Sequence, residues 1–247
     1  MRALAALLAA CLALPASADA LSCRNDQFDG QTYAICEIDM DSADLRLFLN
    51  DEANRPLGHF APLNRALEAQ GKTLGFAMNA GMYHSDRRPV GLYVENGQEL
   101  APLVPNPGPG NFGLLPNGVF CISQNHARVI ETLAFAETRP VCQFATQSGP
   151  MLVIDGALHP RFLPNSTSRY IRNGVGTTSD GHRAVFAMSR QPVTFHEFGR
   201  LFRDHLGLPN ALYLDGNISR LYAPMLGRDD PGFRMGPIVG LVVDQAG

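Results

Sequence analysis

The sequence predicts one α+β domain with a mixed or antiparallel β-sheet core and a few flanking helices. Short apolar or alternating runs, bounded by Gly, Pro, Asn and Asp, recur along most of the chain. Only two stretches carry a clear 3.6-residue apolar period. Strands and helices do not alternate regularly, which argues against a doubly wound parallel sheet.

The 247 residues are 45% hydrophobic and 17% charged, the composition of an ordinary globular core. A net charge of −3 supplies no strong field toward nucleic acid or anionic lipid, so neither is an expected partner. The first 20 residues read as a signal peptide: Arg2 precedes the apolar run at 3–14, and Ala18-Asp19-Ala20 forms a cleavage site. Leu8-Ala9-Ala10-Cys11 also matches a lipoprotein cleavage box, but the apolar run continues past it. The apolar run is too short to span a bilayer. The expectation is a periplasmic or secreted domain over 21–247 with no stable membrane span. Without Cys11, four cysteines remain. The favoured pairing is Cys23–Cys36 and Cys121–Cys142, because each pair flanks a plausible hairpin or adjacent-strand segment.

Along this domain, residues 32–39 and 43–50 read as strands. Residues 62–72 read as a helix opened by Pro62 and closed by Gly71, and 73–79 as a buried strand. The Pro- and Gly-rich residues 101–113 form a long surface loop. Strands follow at 118–123 and 127–131, and another run ends at an Asp155-Gly156 turn. Residues 174–189 form a hairpin around Asp180-Gly181. Residues 194–207 form the clearest helix, opened by a Thr194/Glu197 capping box. The last strands are 211–214 and 237–243.

Several familiar chemistries are absent from the sequence. It has no G-x-S-x-G elbow, P-loop or dinucleotide fingerprint, and His196-Glu197 lacks the second histidine of a zincin. What remains is a set of polar residues at strand ends: Asn79, Gln147, Ser148, Asp215, and the arginines Arg169 and Arg172 ahead of a Gly-rich strand. Loops at strand ends on a rigid sheet are where sites are assembled. His84 joins them as a candidate because it lies in a polar, Gly-containing turn.

These residues fall in motifs: Asn79-Ala80-Gly81-Met82-Tyr83, Gln147-Ser148-Gly149-Pro150, Arg172 followed by Gly176, Asp180-Gly181, and Leu214-Asp215-Gly216 with Ser219. In order and spacing they resemble bacterial members of the phosphodiester glycosidase family, over roughly residues 35–243. Two motifs depart from the family pattern. The aspartate motif keeps one glycine and one serine of L-D-G-G-x-S-S, and Ala80 and Met82 interrupt N-G-G-F/Y-F/Y.

The resemblance implies an exported hydrolase that cleaves a sugar-1-phosphodiester at the sugar–oxygen bond. Asp215 would stabilise an oxocarbenium-like transition state or activate water. Arg172 would hold phosphate oxygens, with Arg169 as a second cation. Asn79 and Gln147 would bind hydroxyls or position water, and Ser148, Gly149, Tyr83, His84 and Gly216 would line the substrate site. No cofactor is expected; a divalent cation is not excluded, and metal ligands are unknown. Two other readings stay open: a non-catalytic binder of phosphorylated glycans, and a metal-dependent phosphodiesterase using Asp215 and Asn79 as oxygen ligands.

Overall fold

The computed structural model describes residues 20–215 and 218–245. Residues 1–19 of the expected signal peptide, and Gly216, lie outside the described residues. In chain order the elements are β1 (Leu21–Phe28), β2 (Gln31–Asp39), β3 (Asp44–Phe48), α1 (Phe60–Glu68), β4 (Lys72–Asn79), β5 (Tyr93–Glu95) and β6 (Gln98–Ala101). Then come β7 (Gly118–Ser123), β8 (His126–Glu131), α2 (Thr132–Thr138), β9 (Phe144–Ser148), β10 (Met151–Ile154), β11 (Ala157–Leu158), β12 (Asn173–Thr177) and β13 (Arg183–Ser189). Last are α3 (Phe195–Arg200), β14 (Asn210–Asp215), β15 (Leu221–Ala223), β16 (Arg228–Asp229) and β17 (Ile238–Asp244).

The strands form three sheets, and their pairings are antiparallel. A seven-stranded sheet runs β1-β2-β13-β12-β14-β10-β11; two five-stranded sheets run β16-β15-β4-β17-β3 and β6-β5-β9-β7-β8. Their inner faces meet in one core. Ile38, Phe186 and Leu212 come from the first sheet, Leu47, Phe76 and Leu241 from the second, and Phe120, Ile122 and Phe144 from the third. Each outer face is then covered by a helix. Phe198, Leu201 and Phe202 cover the first sheet, Phe60, Leu63 and Leu67 of α1 the second, and Phe135 of α2 the third. Strands covered on both faces are buried almost continuously, as in β7, β9, β12 and β14, whereas β3 alternates. One shared core makes this a single α+β domain.

Both expected disulfides form. Cys23 and Cys36 face each other directly across β1 and β2, and Cys121 of β7 joins Cys142 just ahead of β9.

The helices differ from expectation at their ends. α1 begins at Phe60, two residues before Pro62. Pro62 still lies in the first turn, where backbone N–H groups have no intrahelical partner, so its missing N–H costs nothing. The expected long helix has its capping box, with the Thr194 side chain accepting from Glu197 N and Glu197 accepting from Thr194 N. It is α-helical only to Arg200; Leu201–His205 form a π turn in which Leu206 N donates to Leu201 O at 3.0 Å. A π turn inserts an extra residue into the helix and shifts the side chains beyond it.

Candidate active site

Asp215 is the last residue of β14, and β14 is buried along almost its whole length. Its backbone is held by the strand beside it: Asn173, paired with Asp215 across a bulge, donates its Nδ2 to Asp215 O at 3.0 Å. The same Nδ2 donates to Ser219 Oγ at 2.8 Å, and Ser219 Oγ donates to Ile171 O at 3.1 Å. Asn79, at the end of β4 in another sheet, completes the arrangement. Its Nδ2 donates to Asn173 Oδ1 at 3.2 Å and its Oδ1 accepts from Arg220 N at 3.0 Å. The chain leaves the first sheet at Asp215 and joins the second at Leu221, opposite Met78. Two fully buried asparagines therefore tie down both sides of that crossing.

Asp215 is 7% exposed, and it lines a cleft of about 550 Å³. One wall is the turn carrying Tyr83, His84 and Arg87; the other is the loop at Asn111 and Phe112. Tyr83 lies against Gly236, where a Cβ would come within 2.5 Å of the ring, so glycine is needed there. The Tyr83 hydroxyl donates to Arg234 O at 3.3 Å. Burial, with the negative charge of Asp215 as the next contribution, pushes its pKa up to about 12. The phenol thus stays protonated at neutral pH.

Arg87 was not among the residues singled out from the sequence. It occupies a left-handed conformation, φ 77°, within a turn closed by His84 N to Arg88 O and Arg87 N to His84 O, both 2.8 Å. Its guanidinium lies 5.3 Å from the centre of the Tyr83 ring. The neighbouring Arg88 is paired with Asp86, whereas no ion pair of the described residues includes Arg87. Only its place in the folded cleft distinguishes it from the adjacent arginine.

Gln147 and Ser148 belong to the scaffold. Gln147 Oε1 accepts from Leu92 N and Val104 N at 3.1 and 3.0 Å. Its Nε2 donates to Val104 O and Thr132 Oγ1 at 2.8 and 3.2 Å. Both amide hydrogens are used, so the expected hydroxyl contact has no donor left, and the residue instead anchors residues 101–113. Ser148 Oγ is buried and donates to Leu214 O at 2.7 Å, next to the Asp215 strand end. Gly149 has a packing role: a Cβ there would lie 2.5 Å from the Cβ of Asn117, whose Nδ2 donates to Phe112 O at 2.9 Å and so fixes the cleft wall.

The two expected phosphate cations do not line the cleft. Arg172 is 1% exposed, its guanidinium 3.6 Å from the centre of Phe195. Nε donates to Val193 O at 2.9 Å and Nη2 to Ser168 O at 3.2 Å. Burial lowers the Arg172 pKa from its ordinary value, with Tyr213 partly offsetting this. Arg169 is paired with Glu197 at 2.7 Å and also donates to Pro192 O. Arg172 therefore holds the approach to β12 together, and Arg169 is neutralised by a carboxylate.

No group of three or more His, Cys, Asp or Glu side chains positioned to hold a metal ion occurs among the described residues. Asn79 has both its amide groups in the buried network, so it is not placed as an oxygen ligand beside Asp215.

A profile of the phosphodiester glycosidase family matches residues 72–233, about two thirds of the chain. The chain belongs to the phosphodiester glycosidase family. The matched segment runs from β4 past the chain crossing and contains the whole cleft. The uncharacterized protein YigE of Escherichia coli (strain K12) is 41% identical over 156 residues, 63% of this chain and 60% of that protein. Two solved structures share the fold of this family member. A hypothetical protein from Synechocystis superposes with a TM-score of 0.60 at 13% identity, covering 90% of this chain and 61% of that one. The catalytic domain of zebrafish N-acetylglucosamine-1-phosphodiester alpha-N-acetylglucosaminidase, auto-inhibited by its pro-peptide, also gives 0.60, at 11% identity over 91% and 84% of the two chains.

Proposed function

We propose that this chain is a phosphodiester glycosidase that hydrolyses a sugar-1-phosphodiester, releasing a free sugar and a phosphomonoester. The observation that carries this reading is the meeting of Asp215 and Arg87 in one cleft, inside the segment matched by the family. Breaking the bond between the anomeric carbon and oxygen leaves positive charge on the sugar. The Asp215 carboxylate stabilises that charge or takes the proton of the attacking water. The oxygen stays with the phosphate, and a phosphomonoester is a weak enough base to depart without a strong acid. Arg87 neutralises the phosphate, and the neutral Tyr83 ring, 5.3 Å from its guanidinium, supports it from one side. His84, exposed on the same wall, contacts the substrate rim.

Export of the mature domain is part of the proposal. Two disulfides suit an oxidising compartment. No helix among the described residues is long and apolar enough to cross a membrane. The test of the activity is hydrolysis of a sugar-1-phosphodiester panel in oxygen-18 water, wild type beside Asp215→Asn. Label in the released sugar, lost in the variant, is the expected result. Label in the phosphate, abolished by a chelator, would instead mark a metal-dependent phosphodiesterase. Tight binding of the panel without turnover would mark a glycan-binding protein.

A further inference from the structure

Arg220 lies two residues beyond Ile218, which lines the Asp215 cleft, and is only 6% exposed. Its Nε and Nη2 both donate to Asp230 O, at 2.9 and 2.7 Å, and its Nη1 donates to Phe233 O at 3.0 Å. One guanidinium thus grips two carbonyls of the segment 230–236. That segment carries Arg234 O, which accepts from the Tyr83 hydroxyl, and Gly236, against which the Tyr83 ring packs. Arg220 and Tyr83 are near enough for each to shift the other's protonation. The Arg220 side chain therefore seats the Tyr83 wall of the cleft. Its main chain, held by Asn79 Oδ1, closes the crossing that begins at Asp215.

One partner of this guanidinium depends on pH. Nη1 also donates to His59 Nδ1 at 3.0 Å. Arginine has only donors, so Nδ1 must carry its lone pair and the imidazole must be neutral. His59 is the N-cap of α1, and the ring of Phe60 beside it lies 5.1 Å from the guanidinium. The charged groups facing His59 are both cations: Arg220, and Arg234, whose side chain crosses Gly58. The first turn of α1 has no acidic residue, and a helix N-terminus is itself a positive end. Asp229 and Asp230 bear on Arg220 instead, and Asp230 is paired with Arg228. Burial and the two arginines hold the His59 pKa below its ordinary 6.5. The contact is whole above about 6.5 and is lost as pH falls through the lower folded value. A proton on Nδ1 turns the acceptor into a donor and sets two positive charges face to face.

We infer that Arg220 is a positioning residue for the Asp215 cleft, and that neutral His59 is the latch that keeps it in place. Protonation of His59 releases Arg220 from the segment 230–236, and the Tyr83 wall and the chain crossing loosen together.

The test is His59→Asn, which keeps an acceptor near the Nδ1 position, suits an N-cap and cannot take a proton. With the activity readout resting on the hydrolase reading above, kcat/KM for a sugar-1-phosphodiester is followed from pH 7.5 to pH 5. The two proteins should match at pH 7.5, and wild type should lose about tenfold more by pH 5. Any titration of Asp215 is common to both, so parallel profiles would overturn the latch. Arg220→Lys keeps the charge but cannot grip both carbonyls at once. It should lower kcat about tenfold at pH 7.5 with little change in KM. A full kcat would overturn the positioning role, and if this variant does not fold, the His59→Asn profile alone decides. If wild type hydrolyses no diester, the hydrolase reading fails, and hydrogen exchange tests the latch without it. The probes are the Leu221 amide, bonded to Asp230 Oδ2, and the Met235 amide, bonded to Gly58 O. Their protection, corrected for the intrinsic rate, should fall about tenfold from pH 7.5 to pH 5 in wild type and hold in His59→Asn. The same change in both proteins, or none in either, would overturn it.

Discussion

Asn79 and Asn173, 94 residues apart in sequence, meet at 3.2 Å where two sheets adjoin, and the asparagine on the first sheet also holds the backbone of Asp215. The candidate carboxylate is thus positioned by side chains that do not line the cleft. Asn79→Ala would leave Arg220 N–H and Asn173 Oδ1 buried without these partners, at a cost of about 1–3 kcal/mol. Displacement of Asp215 would lower kcat about 10- to 100-fold. Melting curves read the first effect and steady-state kinetics the second; a stable variant with full activity would rule out the positioning role.

Asp215→Asn keeps the size of the side chain and removes its charge. Hydrolysis should fall by about 10²- to 10⁴-fold, while the hold of Asn173 on the main-chain oxygen of Asp215 stays in place. Product formation under single-turnover conditions separates this from slow release.

Arg87 and Arg172 should respond in opposite ways. Arg87→Ala removes a cation from the cleft and should weaken substrate binding by about 1.5–3 kcal/mol, seen in KM, with little change in stability. Arg172→Ala should cost on the order of 2–4 kcal/mol of stability, since it exposes Phe195 and leaves Val193 O and Ser168 O without donors. Denaturant unfolding and kinetics on both variants give the crossed pattern.

These two arginines also mark the limit of what the sequence could reveal. The Asp180-Gly181 hairpin and the strand ending at Asp155-Gly156 were legible because local turn chemistry sets them; Asp155, Gly156 and Gly181 all have positive φ. The Cys23–Cys36 pair was legible for a similar reason. β1 was not: Arg24 and Asp26 make ion pairs along an edge strand, so its alternation is polar on both sides. α2 was missed because its seven residues are too few for a period, although Glu131 caps it by accepting from Leu133 N and Ala134 N. Asp215 was found from a strand followed by glycine. Arg87 could not be, since only the turn and Tyr83 distinguish it from Arg88. The arginines chosen instead preceded a glycine-rich strand, and burial decides their role.

The capping box at Thr194 gives a pH dependence with a definite sign. Burial raises the Glu197 carboxyl, but hydrogen bonds from Thr194 N and Arg169 outweigh it, and its pKa lies below the ordinary value. A group whose folded-state pKa is lowered contributes stability above its unfolded value, about 4.3 for glutamate, and loses it as pH falls through the lower folded value. Glu197 is partly exposed and Arg169 more so, so solvent screens the pair and the cap is the larger part. Glu197→Gln should therefore destabilise the protein by no more than about 1 kcal/mol at pH 7. The difference from wild type should shrink as the pH is taken below 4.3, because protonated glutamate and glutamine then present the same charge. Unfolding measured from pH 7 down to pH 3 checks this. A difference that stayed constant across that range would mean that the carboxylate charge, and with it the Arg169 pair, contributes nothing to α3.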